Sequence, residues 1–273
     1  MSAAIRVALA VLAVWLGIAL ALPALPLAPD TVDLARILAA PGDGSLLGFD
    51  EVGRPVGDRV IVGARTSLLV AVTVVALAGT LGTLAGALAA YVGGGVDRAL
   101  TAVIDVFMAF PGLLLAIALA GVMGPGLDNL VVALAAVGWV GYARLARAQT
   151  LSLRRREHVL AAQALGAGTL RILRLHLLPL MAGPLIIEAT FGLAGAVLAE
   201  AGLSFLGIGV QPPAASWGSM IREGVRYMLV APHLVVVPGL VLSAVVLATN
   251  LVGDWLRDRL DVRGRPATGR RTT

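Results

Sequence analysis

Three carboxylates inside apolar stretches are the first residues of this sequence that could do chemistry: Asp105, Glu188 and Glu200. An ionisable side chain is costly inside a membrane, and where one occurs it commonly relays protons or lines a substrate path. Each of the three also lies near the end of an apolar run or beside small residues, which favours contacts between helices. We therefore expect them, together with Ser204, to lie on a substrate path or at an interface between subunits.

The sequence lacks residues that several kinds of enzyme need. All 21 residues of the Lys and Arg class are Arg, so Lys is absent. A Gly-rich phosphate loop places a Lys on the terminal phosphates of ATP, and a Schiff base needs a Lys amine, so this chain can perform neither chemistry. The absence of Cys excludes disulfides, thiolate metal sites and cysteine nucleophiles. The serines have no His and acid arrangement near them, and we predict no catalytic residue.

The three histidines, His158, His176 and His233, stand in separate segments. A metal site needs several ligands at characteristic spacings, and no such spacing is present in the sequence. We therefore predict no metal site and no bound cofactor in this chain. Selectivity for a metal-containing substrate would lie in another subunit.

The composition indicates that the bilayer is the solvent. Hydrophobic residues make up 59% of the 273 residues and charged residues 14%, with Ala, Leu, Val and Gly more prominent than aromatics. A soluble core cannot hold so much apolar sequence, whereas helices packed closely in lipid have this composition. The net charge of +5 could suggest nucleic acid. The arginines, however, lie in short segments between apolar runs, so membrane lipids and not nucleic acid are the expected partner.

Six apolar runs are long enough to cross a membrane, because a spanning helix needs about 20 mostly apolar residues. An all-α membrane protein of about six transmembrane helices is therefore predicted. The third and fourth runs form a hairpin, since only the Gly- and Pro-containing stretch 124–129 separates them. The predicted spans are 7–28, 66–91, 101–123, 127–143, 182–202 and 232–252.

Six crossings place both termini on one side of the membrane. If that side is the cytoplasm, the cytoplasmic segments hold 15 of the 21 arginines and the outside segments hold 6. Positive charge is retained on the cytoplasmic side, so we predict an inner-membrane protein with both termini in the cytoplasm. The long segments 29–65 and 203–231 are then periplasmic, and 144–181 is cytoplasmic.

The first apolar run has a second interpretation as a cleaved signal peptide, because Ala19-Leu20-Ala21 has the small-residue pattern of a cleavage site. The run is longer than the core of about 7–15 residues that signal peptides usually have. We therefore favour a membrane anchor, and N-terminal sequencing of the mature protein would decide between the two.

The segment 144–181 has a helical pattern with a glycine break. Strong helix formers precede Gly166 and Gly168, and Thr169 can cap a second short helix that ends before Pro179. A surface of small residues lets another backbone approach closely, which suits a helix that docks into a groove of a partner. The neighbouring arginines, 154–156, are expected to anchor the loop at lipid headgroups, with contact to a partner as the alternative.

The string VLAAQALGAGTLRILRLHLLP, residues 159–179, resembles the loop shared by the membrane subunits of binding-protein-dependent ABC importers. The family consensus is Glu-Ala-Ala, three residues, Gly, nine residues, a hydrophobic residue, one residue and Leu-Pro. Two positions depart from it, because Leu160 replaces the Glu and His176 the hydrophobic residue. The replaced Glu removes an acidic contact, but the helix is still expected to dock on an ATPase. The resemblance implies coupling through Leu160, Ala161, Ala162, Ala164, Leu165, Gly166, Ala167, His176, Leu178 and Pro179.

Four further stretches are similar to the same family and extend the resemblance from about residue 47 to residue 261. A His at position 176 is common in the peptide and nickel branch, so the chain is similar to the C-type permeases of dipeptide, oligopeptide and nickel importers. The four stretches are 47–70, 96–117, 199–221 and 250–261.

This resemblance implies a type I ABC importer permease that forms half of a pore and hydrolyses nothing itself. Its partners would be a homologous second permease, two ABC ATPase subunits that bind ATP and Mg, and a periplasmic or lipid-anchored substrate-binding protein. Peptides are the expected substrate, with nickel or a metal chelate as the alternative. The implied organisation is an N-terminal helix and periplasmic segment (1–65), a transmembrane domain (66–261) and a disordered cytoplasmic tail (262–273).

Two segments outside the predicted spans have more specific interpretations. Trp217 in the segment 203–220 is expected either to anchor the chain at the headgroups or to help frame the periplasmic mouth where a binding protein docks. The stretch from Pro55 to Gly63 has apolar residues at helical spacing and is expected to form an interfacial helix leading into the second span.

A proton-coupled secondary carrier is the alternative from a different class of transport protein. Such a carrier would use Asp105, Glu188 and Glu200 as relays and would transport alone, without ATPases. Secondary carriers usually contain internal repeats, and none is visible in this sequence. We therefore favour the importer permease.

Overall fold

The structure of the protein is a computed structural model that describes residues 1–260. The described residues form ten α-helices and a single isolated β-bridge, and they contain no β-strand. The tail 262–273, expected to be disordered, lies outside the described residues. The helices are α1 (Ala3–Ala21), α2 (Val56–Val92), α3 (Gly94–Met108), α4 (Gly112–Met123), α5 (Leu127–Leu153), α6 (Glu157–Ala164), α7 (Thr169–Ile172), α8 (Leu178–Phe205), α9 (Trp217–Val225) and α10 (His233–Leu260).

Five of the described helices, counting α7 and α8 as one run, are long and apolar enough to cross a membrane. A sixth crossing is broken, because α3 and α4 meet at 88°. The prediction of about six spans is confirmed, but the prediction of one straight helix over 101–123 is wrong. Pro111 has no backbone N–H and disfavours helical backbone at Phe110, so the chain leaves the helix after Met108 and starts a new one at Gly112.

Most spans are longer than their apolar runs. α2 begins at Val56 rather than at residue 66, so the helix predicted for the stretch from Pro55 to Gly63 is the first part of α2 itself, and the boundary predicted at 65/66 falls inside α2. Hydropathy did not indicate this start, because the first turns of α2 contain charged residues. In the structure Asp58 accepts a hydrogen bond from the Ala28 amide at 2.9 Å, and Arg59 is buried. α1, in contrast, ends at Ala21, before a short 3₁₀ turn that contains Pro23.

The crossings alternate in direction between two ends of the bundle. We name these ends by the short helices they carry: the α6 end, with residues 154–178, and the α9 end, with residues 22–55 and 206–232. At the α9 end the Gly126 amide donates to the Ile208 carbonyl, which places the α4–α5 turn beside the end of α8. Ala8 of α1 packs with Ala248 and Val252 of α10, so the N-terminal half of α1 lies beside the C-terminal half of α10.

The closest helix crossing is that of α2 and α5, where glycines take the place of side chains. A Cβ at Gly82 would collide with the Trp139 carbonyl oxygen, and one at Gly86 with the Ala143 carbonyl oxygen. Apolar side chains gain little from leaving lipid, so helices in membranes associate through close backbone approach of this kind. The α2–α5 pair therefore forms the centre around which the other spans pack.

Trp217 begins α9 and is fully buried. Its Nε1 donates to the Val60 carbonyl at 3.1 Å, and its ring lies 6.0 Å from that of Trp15, whose own Nε1 donates to the Ala64 carbonyl at 2.9 Å. The prediction of Trp217 as a headgroup anchor is therefore wrong, because its ring joins α1, α2 and α9 inside the protein.

Candidate functional site

The segment 154–178 is the part of 144–181 that runs from the end of α5 to the first residue of α8, and we call it the coupling loop after the role that the resemblance implies. It turns sharply at Gly166. The backbone there has φ of +80°, a left-handed conformation that favours glycine. The Gly166 amide donates to the Gln163 carbonyl at 2.9 Å, and the Ala167 amide donates to the Ala162 carbonyl at 3.0 Å. These two bonds form a Schellman motif, which satisfies carbonyl groups at the end of α6. The glycine of the loop pattern therefore has a structural role, which is to adopt the left-handed conformation that ends α6.

One side of the coupling loop is anchored in the protein. The side chains of Val159, Ile172, Leu173 and Leu177 are buried in one apolar cluster with Met181 of α8. Three residues of the predicted coupling set pack against this cluster, namely Ala162, Ala167 and Leu178. The loop is therefore held as a rigid unit against the end of the bundle.

The other side of the coupling loop carries four exposed leucines, Leu160, Leu165, Leu170 and Leu175, which we call the leucine surface. Leu165 is 88% exposed and Leu170 is 77% exposed. Both stand on a segment that also has a buried side. Large exposed apolar side chains on such a segment are candidates for an interaction site. The predicted residues Ala161, Ala164 and Pro179 are also exposed.

The second short helix differs from its prediction in two respects. Thr169 is the first residue of α7 and makes no cap, because the N-cap position is occupied by Gly168. The helix also does not end before Pro179. It continues through a π-helical turn, Leu173–Leu177, directly into α8. Pro179 is the second residue of α8 and lies inside this continuous helical run, where its missing N–H removes one helical hydrogen bond.

Two polar contacts join helices and the coupling loop at the α6 end. Arg154 donates from Nη1 to the Ala90 carbonyl of α2 at 2.7 Å, so this member of the arginine triplet also makes a contact within the protein. Arg147 of α5 forms a bidentate pair with Asp97 of α3, with distances of 2.6 and 2.8 Å. Nothing in the local sequence indicated these pairs, because their members are far apart along the chain.

Two histidines that the sequence separates lie near each other in the coupling loop. The rings of His158 and His176 are 6.3 Å apart. No cluster of three or more potential metal ligands occurs among residues 1–260. The third histidine, His233, begins α10 at the α9 end, where its Nε2 lies 3.4 Å from the Phe49 carbonyl oxygen.

Two of the predicted pathway residues, Glu200 and Ser204, are fully buried within this subunit. Ser67 of α2 donates to Glu200 Oε2 at 2.9 Å, and Ser204 donates to Glu200 Oε1 at 2.7 Å. The Ser204 hydroxyl also accepts from the Val210 amide at 3.1 Å. These bonds satisfy a buried carboxyl group and join α2, α8 and the segment that follows α8.

The other two carboxylates occupy different places. Asp105 is exposed on α3, and Glu188 is partly buried on α8 beside Gly141 of α5. Within the part of the chain that the structure describes, no hydrogen bond joins Asp105, Glu188 and Glu200 to one another. The structure therefore does not bring the three into a proton relay.

Glu188 lines a cavity of about 270 Å³ between α2, α4, α5 and α8. The other polar side chain at this cavity is that of Tyr142, a residue that sequence reasoning missed. Several glycines line the cavity, among them Gly138 and Gly192, so its walls are largely backbone and small apolar groups.

The α9 end has an ion-pair network that was also not predicted. Arg59 of α2 donates from Nη2 to Glu223 Oε2 of α9 at 3.0 Å. Arg54 donates to Asp50 at 2.6 Å and to Glu51 at 3.1 Å. Burial raises the pKa of the Glu223 carboxyl, and the Arg59 guanidinium opposes this rise. The network fixes α9 against the start of α2.

Comparison with known proteins identifies a family for most of the chain. Residues 82–265 match the family described as the binding-protein-dependent transport system inner membrane component. The nickel transport system permease protein NikC of Escherichia coli (strain K12) is 41% identical over 237 residues, which cover 87% of this chain and 86% of that protein. The dipeptide transport system permease protein DppC of Haemophilus influenzae is 40% identical over 216 residues, 79% of this chain and 73% of that protein.

The glutathione transport system permease protein GsiD of Pectobacterium atrosepticum is 39% identical over 234 residues, covering 86% of this chain and 78% of that protein. In a solved structure of the MetNI methionine ABC transporter in inward-facing conformations, one chain has the same fold. Its TM-score is 0.59 at 20% identity, and the match covers 74% of this chain and 95% of that chain.

The similar proteins are permease subunits of transport systems, which makes this chain a transport subunit and not an enzyme. The alternative of a self-sufficient proton-coupled carrier is therefore wrong. The fold, the coupling loop and these comparisons agree: the chain belongs to the family of binding-protein-dependent transport system inner membrane components, as an ABC importer permease of the peptide and nickel branch.

Proposed function

We propose that this chain forms half of the translocation pathway of an ATP-driven importer of di- or oligopeptides. It pairs with a homologous second permease, and two ATPase subunits, which bind ATP and Mg, dock on the coupling loops. A periplasmic or lipid-anchored binding protein delivers the peptide at the α9 end. The main support for this proposal is the coupling loop. One side of it is buried against the bundle, and the other side exposes apolar residues.

The leucine surface is the proposed contact with the ATPase. Leu165 and Leu170 are its most exposed members. Burying a leucine in an interface contributes about 1.5–3 kcal/mol, so a few such residues can supply much of a stable docking energy. Leu160 stands where the family has Glu, which makes this surface more apolar than the family pattern. Docking here therefore depends on apolar contact.

Replacing Leu165 by arginine is expected to weaken the complex with the ATPases. The substitution places a charge in the apolar contact and removes about 1.5–3 kcal/mol of burial energy, which corresponds to a loss of affinity of about tenfold or more. The measurement is the amount of ATPase that co-purifies with the tagged permease. Leu46→Arg is the matched control, because Leu46 is 92% exposed at the α9 end. Equal losses in both variants would contradict docking at the leucine surface.

The proposed orientation places the α6 end in the cytoplasm. The arginine distribution supports this orientation, since the segments at this end and the C-terminal tail hold 15 of the 21 arginines. Both termini are then cytoplasmic. We also propose that α1 is retained as an anchor, because Trp15 contacts both α2 and α9.

One observation favours a peptide as the substrate. The similar proteins do not discriminate, because dipeptide and putative peptide permeases are 39–42% identical and the nickel permease is 41% identical. The cavity beside Glu188 is apolar apart from one carboxylate and one phenol, whereas Ni²⁺ is bound best by imidazole nitrogen and similar ligands.

Uptake by the complete importer in proteoliposomes tests the proposal. The importer is assembled from both permeases, both ATPases and the binding protein, and it is offered labelled dialanine or labelled Ni²⁺. We expect ATP-dependent uptake of the dipeptide and none of the metal. Uptake of Ni²⁺ without uptake of dialanine would replace the peptide proposal by the nickel alternative.

A further inference from the structure

The cavity between α2, α4, α5 and α8 has the features of a ligand site inside the membrane. Glu188 lies about 15 Å along α8 from its first residue, at 1.5 Å per residue, and so near the middle of the bilayer. Glycines replace side chains on three of the walls, with Gly112 on α4, Gly138 on α5 and Gly192 on α8. The space is therefore kept open by the sequence of several helices together.

The Tyr142 hydroxyl is the first polar group at this cavity. Tyr142 is only 5% exposed, and its hydroxyl makes no hydrogen bond with any residue that the structure describes. A Cβ at Gly192 would lie 2.5 Å from this oxygen, so glycine at 192 is what leaves room for the hydroxyl. An unmade hydrogen bond of a buried hydroxyl costs about 1–3 kcal/mol. Such a group is rarely retained by packing alone.

The Glu188 carboxylate is the second polar group. It reaches across to α5, where a Cβ at Gly141 would lie 2.9 Å from its Oε1. None of the residues from 1 to 260 forms an ion pair with Glu188, unlike Asp97, Asp50 and Glu223, which all have arginine partners. An unpaired carboxylate in a membrane span is a functional candidate, because its burial costs free energy that nothing nearby offsets.

We propose that this cavity binds the ammonium group of the transported substrate, with the Glu188 carboxylate as counter-charge and the Tyr142 hydroxyl as a hydrogen-bond partner. This inference rests on the proposed function and names the part of the peptide that the permease recognises. An ammonium group donates three hydrogen bonds and carries one positive charge, which matches one carboxylate and one phenol oxygen. The apolar walls suit the first side chain of the peptide.

The size and chemistry of the cavity argue against other ligands. An anion would be repelled by Glu188, and a divalent metal ion would find one carboxylate and no nitrogen or sulfur ligand. A volume of about 270 Å³ is at the lower limit for a drug-sized ligand, so the cavity holds one end of a peptide rather than a whole oligopeptide.

Two conservative substitutions, Glu188→Gln and Tyr142→Phe, test the site in the complete importer. Each removes one polar feature and keeps the shape. At a limiting concentration of labelled dialanine we expect initial uptake to fall about tenfold in Glu188→Gln, the effect of losing one charge-assisted hydrogen bond. A smaller loss is expected in Tyr142→Phe. Thr190→Val is the control, because the Thr190 hydroxyl donates only to the Ile186 carbonyl of its own helix at 2.8 Å.

Two further readouts separate a ligand site from a structural role. ATP hydrolysis stimulated by the loaded binding protein is expected to remain, because the coupling loop is unchanged. The unfolding temperature of Tyr142→Phe is expected to stay equal or rise, since the hydroxyl that it removes has no partner. A lower unfolding temperature together with lost hydrolysis would overturn the inference and indicate packing.

The wild-type importer separates this inference from the proposed function. If it takes up no dialanine, the peptide proposal fails. If it takes up dialanine and Glu188→Gln does so at the same rate, only the ammonium site is overturned. N-acetylated dialanine lacks the ammonium group, and its rate of uptake is expected to be the same in the wild-type importer and in the Glu188→Gln importer. Equal losses for both peptides would also overturn the site.

Discussion

Replacing Gly86 by alanine is expected to destabilise the whole bundle. The added methyl group would collide with the Ala143 carbonyl oxygen on α5, and a backbone atom cannot rotate away as a side chain can. The two helices must therefore separate along the closest crossing in the protein. Overpacking of this kind costs about 1–3 kcal/mol and occasionally more. We expect the unfolding temperature of the purified protein to fall by about 2–12 °C.

Gly79→Ala is the matched control for this prediction, because it adds the same methyl group to the same helix. A Cβ at Gly79 would lie 3.4 Å from Tyr142 Cε1, which is an ordinary contact. Alanine also has a helix propensity better than that of glycine by about 0.8–1.0 kcal/mol, so this variant should be equally or more stable. If both variants unfold at the wild-type temperature, close backbone approach at Gly86 is not what holds α2 to α5.

Replacing Gly166 by valine is expected to abolish ATP hydrolysis stimulated by the binding protein while the protein still inserts into the membrane. A β-branched residue does not tolerate φ of +80°, so the Schellman motif after α6 must open. The leucine surface would then lose its shape, although no spanning helix is touched. The measurement combines membrane yield with the rate of hydrolysis by the assembled importer.

Gly168→Val separates backbone conformation from added bulk. Neither glycine has an atom near the position of a new Cβ, but Gly168 has φ of −69°, which valine adopts without strain. We expect hydrolysis close to the wild-type rate in Gly168→Val. If both variants lose hydrolysis, the added side-chain volume and not the backbone conformation at Gly166 is the cause. If both variants retain hydrolysis, the conformation of Gly166 is not needed for coupling.

Local sequence features predicted the spans and the helix–turn–helix character of the segment 144–181, but not the N-cap at Gly168 or the continuation of the helix through Pro179. Apolar runs follow from the length of a helix in a bilayer, and the turn at Gly166 follows from one residue type at one position. The bend at Pro111 was missed, because the apolar run continues through the proline and hydropathy carries no information about a missing N–H.

The long-range contacts could not be predicted in the same way. The partner of Arg59 is Glu223, 164 residues away, and the partner of Glu200 is Ser67, 133 residues away. Without these partners Arg59 was assigned to an interfacial helix, and Glu200 to a substrate path or an interface between subunits. Tyr142 gave no signal at all, since its role depends on glycines of other helices that leave its hydroxyl unpartnered.

The π-helical turn between α7 and α8 has a mechanical consequence. Because Leu173–Leu177 continues the helix instead of ending it, Leu170 and Leu175 share one helical run with Glu188. Pro179 and Pro184 stand in this run before Glu188, and prolines and π-helical turns are the places where a helix bends. A displacement at Leu170 is therefore expected to change the bend of this run between the exposed leucines and the cavity, rather than to turn the whole run as one body.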